Sequence, residues 1–103
     1  MKFNILIFTA IFLSLGAIQV VANEENTDVH TKCKYFGNLA EKVMQARQQG
    51  IPLSTVLEIF EGDAEKNIII NAYKKTQWQT ETSQSREIKS YRNEVELICY
   101  EAH

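Results

Sequence analysis

Cys33 and Cys99 are the only two cysteines in a chain of 103 residues, and they stand near the two ends of the part that can fold. Two cysteines allow a single pairing, and an even count in a small exported chain reads as a disulfide framework. Such a bridge ties the first folded element to the last. Closing so long a loop stabilises a fold by about 4 kcal/mol in the chain-entropy picture. For a domain this small, that is a large part of the whole margin.

Export is read from the start of the chain. Met1-Lys2 gives a short positive start, and Phe3 to Val21 then runs almost without charge. Val20-Val21-Ala22 offers the small or modest side chains that a signal peptidase accepts. The expected organisation is a signal peptide over 1–22, a flexible polar leader over 23–30 and one helical domain over 31–103. No cysteine closes the apolar run, which argues against a lipid-anchored form. The competing reading is a retained anchor, because about 20 apolar residues can span a bilayer.

Charge narrows the partners. With 11 basic and 13 acidic side chains the net charge is −2, and no basic block occurs. The chain therefore lacks the footprint of a nucleic-acid binder. It also lacks the Lys-rich apolar stripe of a helix that lies on membranes, so no membrane contact is expected once the signal is removed.

Helical periodicity runs through the rest. Cys33, Phe36, Gly37, Ala40, Val43, Met44 and Arg47 recur at three- and four-residue steps, which predicts a first helix over about 31–49. Gly50 and Pro52 stop it. A short second helix starts at Ser54 or Thr55, where Thr55 and Glu58 have capping-box spacing. Asp63 is the expected N-cap of a third helix over about 64–77. Ile88, Tyr91, Val95, Ile98 and Cys99 fall within about a quarter of the circumference of a fourth, which begins near Ser83 or Ser85 and reaches Tyr100. The fold class is all-α: a compact bundle of about four short helices, with Cys33 and Cys99 joining the first to the last.

Chemistry-bearing patterns are sparse. His30 with Cys33 and Cys99 with His103 make a tetrahedral zinc inventory, but a disulfide consumes both sulfurs, so no metal or other cofactor is expected. Glu58, Glu61, Asp63 and Glu65 could serve glycoside cleavage or calcium. Their place around a helix start fits dipole compensation better. No nucleophile elbow, zinc-protease motif or phosphate loop occurs, so the chain reads as no enzyme.

Aromatic residues say more. Phe36, Phe60, Tyr73 and Tyr91 fall on apolar faces and read as core. Trp78 stands among Lys74, Lys75, Thr76, Gln77, Gln79 and Thr80, all polar. Tyr35, Leu97 and Tyr100 lie off the main stripes of their helices. Tryptophan and tyrosine away from a core are common binding anchors. The alternative for Trp78 is a lid folded over the core. Arg47, on the inward face near a helix end, either pairs with carbonyls there or serves a ligand.

The run Cys33, Leu39-Ala40, Met44, Arg47, Gly50 and Leu53, followed by Ala72-Tyr73 and Cys99, resembles a group of small exported proteins of unknown function from bacteria and their phages and prophages. The resemblance covers nearly the whole mature chain and implies export, helices and the disulfide, with no activity attached. In gross plan the chain is also similar to the periplasmic acid-stress chaperones, although its cysteine spacing is longer. Three functions follow as expectations. The first is a non-enzymatic module of the bacterial envelope that binds another protein as an inhibitor, immunity, phage-exclusion or lysis-control factor. The second is an acid-triggered stress chaperone, and the third an envelope enzyme with dispersed catalytic residues.

Overall fold

The structure, a computed structural model, describes residues 28–103. The expected signal peptide over 1–22 lies outside them, as does the leader up to residue 27. Among the described residues there are four helices and no strand: α1 over 28–48, α2 over Leu53–Leu57, α3 over Asp63–Tyr73 and α4 over Glu81–Glu101. Those from Lys32 to His103 form one compact unit.

The first helix supplies the spine. Cys33, Leu39, Ala40, Val43 and Met44 are buried along it, with Gln48 the single buried polar residue near its end. Residues 28–30, expected in the leader, are helical, because extending a formed helix adds one hydrogen bond for each residue fixed. Gly50 ends the helix with a φ of 79°. There the Ile51 N–H donates to the Ala46 carbonyl and the Gly50 N–H to that of Arg47, the two bonds of a Schellman stop. Tyr73 fixes this turn from outside, its hydroxyl donating to the Ile51 carbonyl at 2.6 Å.

Four local expectations need correction. The capping box of Thr55 and Glu58 does not form, since Pro52 is the N-cap and has no side-chain bond to give. Its fixed φ sets the entry two residues early, which places Thr55 inside the helix. Gly62, not Asp63, caps α3, and Asp63 and Glu65 occupy its first turn. There their charges still favour the helix N-terminus. The third correction concerns length: α3 stops at Tyr73 rather than near Gln77. The carbonyls just past its C-cap are held by α1, as Arg47 bonds that of Lys75 and Gln48 that of Thr76. The last helix in turn starts early, at Glu81, because the Thr80 hydroxyl accepts from the Ser83 N–H and caps it.

Packing follows from these ends. Arg47 meets Lys75 at one end of α1, and Tyr35 meets Glu65 near the other, so α3 runs parallel to α1. In contrast α4 is antiparallel to both, with Arg92 on Glu41 and Cys99 on Cys33. That disulfide has a Cα–Cα distance of 5.5 Å and spans 66 positions. Met44, Ile69 and Cys33 are the largest fully enclosed side chains, and Val56, Ala72, Tyr91 and Val95 complete the core around them.

Candidate functional site

Both α3 and α4 pack on α1 but draw apart from each other, leaving an open groove of about 740 Å³ between them. Phe36 of α1 lies at its floor. Ala64 and Ile68 form one wall, and Val95, Ile98 and Ala102 the other. Most of these side chains are apolar, yet the groove is uncovered. Ile98 is 62% exposed, although its position belongs to the apolar stripe of α4.

One end is closed by three contacts. The Tyr91 hydroxyl donates to the Ile68 carbonyl across the gap. Beside it Lys75 pairs with Glu94 at 3.2 Å, and the Lys75 ammonium stands 5.8 Å from the centre of the Tyr91 ring. Burial, with the nearby Glu94 charge adding to it, pushes the Tyr91 phenol up to about 12. That hydroxyl is therefore a neutral donor at any physiological pH. At the other end Lys32 Nζ lies 3.2 Å from His103 Nε2. Asn67 and Asn71 stand one helical turn apart on the α3 side, with Lys74 beyond them.

The residues singled out from sequence lie elsewhere, and they do not gather into one patch. Trp78 is 42% exposed. Its backbone N–H is held by Gln48 and its indole N–H donates to Glu87 at 3.2 Å. Tyr35 donates its hydroxyl to Glu65 at 3.3 Å and meets Phe36 edge-on. It lies near the opposite end of α1 from the Gln48 that holds Trp78, about 20 Å away along the helix. Leu97 and Tyr100 are exposed on the side of α4 that faces away from the core. Arg47 bonds within the fold: Nε and Nη2 donate to the Lys75 carbonyl at 3.2 and 3.1 Å, and its guanidinium lies 5.5 Å from the Tyr73 ring.

No family model, curated protein or solved structure matches this chain. The groove must be read from its own chemistry.

Sequence reasoning placed Phe36 in the core, against which it does pack, and Ile98 on the apolar stripe of the last helix, and so missed the groove. One signal pointed to it. Ile98 and Cys99 are neighbours, 100° apart on a helix, and Cys99 is fixed inward by its bridge. An apolar stripe that includes both is wider than one neighbouring helix covers.

Both cysteine sulfurs are bonded to each other, so the zinc inventory of His30, Cys33, Cys99 and His103 has no thiolate to offer. Among the described residues no group of three or more His, Cys, Asp or Glu is placed to hold a metal ion. No described helix is long and apolar enough to cross a membrane.

Proposed function

We propose that this chain is an exported, non-enzymatic binding module whose working surface is the groove between α3 and α4, and whose partner is another protein of the bacterial envelope. The observation that carries this reading is Ile98, an apolar side chain in the buried register of α4 that is left 62% exposed. An open apolar surface of this kind costs solubility unless something covers it, and it is the usual mark of an interaction site. The polar groups around it are engaged as structure: Tyr91 with Ile68, Lys75 with Glu94, Lys32 with His103. They shape and charge the groove rather than pair an acid with a base for turnover.

The disulfide is consistent with an oxidising compartment. Together with the apolar segment over 1–22 it supports a periplasmic or secreted location. A compact module stapled across its ends suits an inhibitor, immunity, phage-exclusion or lysis-control factor, which must hold one shape while binding. Trp78, Tyr35, Leu97 and Tyr100 lie outside the groove.

Affinity capture from the envelope with the natural chain and with Ile98→Asp tests this reading. The natural chain should retain a partner that Ile98→Asp loses and Trp78→Ala keeps. Equal retention by Ile98→Asp would place the working surface elsewhere.

A further inference from the structure

We infer that the groove is built to take an amphipathic α-helix of about three turns that carries carboxylates near both of its ends. This deepens the binding reading above and rests on it.

Length comes first. From Tyr91 to Ala102 the α4 wall rises about 16 Å at 1.5 Å per residue, which is three helical turns. Shape agrees with length. With α1 as floor and α3 and α4 as antiparallel walls, the vacant place has the form that a packed helix fills. The apolar side chains along it, Phe36, Ile68, Val95 and Ile98, suit ridges spaced three and four residues apart on a docked helix.

Charge selects among the possible occupants. Lys32 brings a positive charge to one end of the groove, beside His103, and Lys74 and Lys75 bring theirs to the other. Among the described residues Glu94 is the only acidic one lining it, and it is bound to Lys75. A partner with carboxylates at both ends therefore meets unlike charge twice, which favours encounter and fixes register. A fatty acid or phospholipid has one charged head and would leave the other end unanswered. A second copy of this chain, docked two-fold by the same face, would set basic rim against basic rim. Asn67 and Asn71, a turn apart on the α3 lip, add amides that can bond polar flanks of the visitor.

The test uses the full oxidised chain and a labelled 14-residue helical peptide, with leucines at three- and four-residue steps and glutamates in its first and last turns. Fluorescence anisotropy should show saturable binding that weakens as salt rises. A peptide with lysines in place of the glutamates should bind about tenfold more weakly or worse. The Lys32→Glu/Lys74→Glu variant should reverse that preference, while Trp78→Ala should leave it unchanged. Ile98→Asp, at an exposed position that should still fold, should abolish both. Equal binding of the two peptides, lost in Ile98→Asp, overturns the charge inference and leaves the groove as a protein-binding site. Binding of palmitate or phosphatidylglycerol vesicles, with neither peptide bound, overturns both. A dimer in sedimentation that Ile98→Asp dissolves makes a second copy the occupant and overturns the inference.

Discussion

The side-chain amide of Gln48 acts as a splint for the backbone around Trp78. Its Oε1 accepts from the Trp78 N–H at 2.8 Å while its Nε2 donates to the Thr76 carbonyl at 2.8 Å. Gln48 is only 5% exposed, so these bonds are made where water cannot replace them. Gln48→Leu should leave two partly buried backbone groups unpaired and destabilise the domain by about 2–4 kcal/mol. Urea unfolding measures the loss, and the Trp78 emission should move to longer wavelength. A loss under about 1 kcal/mol would mean the loop holds itself.

That splint also marks what the sequence could and could not reveal. The apolar spacing of Cys33, Ala40 and Met44, and of Tyr91, Val95 and Cys99, made α1, α4 and their bridge legible, because burial imposes the helical period on residue choice. The stop at Gly50 was legible because only a left-handed residue fits there. The ends of α3 and α4 were not. The carbonyls just past the C-cap of α3 are held by Arg47 and Gln48, about 28 positions away, and no local pattern encodes a partner so distant. The groove was hidden for a related reason: spacing tells which side chains are apolar, not whether a neighbour arrives to cover them.

The disulfide should carry much of the stability. Its loop of 66 positions predicts that Cys33→Ser/Cys99→Ser loses about 4 kcal/mol. The oxidised chain should show no thiol to a reagent under native conditions. Two reactive thiols in the purified native protein would contradict the bridge.

Gly37 leaves room on α1 for the Glu96 side chain of α4. A Cβ built there would run into Oε1 and Cγ of Glu96, displacing the carboxylate that Arg92 holds together with Glu41. Gly37→Ala alone should therefore be neutral or destabilising, by up to about 1 kcal/mol. Introduced into Glu96→Ala, the same change should stabilise by about 0.5–1 kcal/mol, since alanine is the better helix former. A double-mutant cycle in urea reads the sign difference, and additive effects would show that Glu96 is not the obstacle.

Tyr91 should make the fold sensitive to alkali. Its phenol is raised from 10.0 to about 12 by burial and then by Glu94, so the folded state keeps the proton where the unfolded chain gives it up. The stability linked to this group is complete below pH 10 and falls as pH rises towards 12. The loss should total about 2–3 kcal/mol. In Tyr91→Phe the slope of stability over that window should flatten, as measured by urea titrations at successive pH values. An unchanged slope would assign the alkaline loss to other groups, such as Tyr73, whose phenol is also raised by burial.

The claim that the α3–α4 groove is the working surface is tested most directly by site-specific cross-linking in cells that make the protein. A photoreactive benzophenone side chain is placed at Ile98 in the groove, and separately at Ile59, which is 70% exposed but lies outside the groove. The account predicts one dominant protein adduct from position 98, suppressed by the glutamate-flanked helical peptide, and none from position 59. The same adducts from both positions, or adducts from 59 alone, would contradict it.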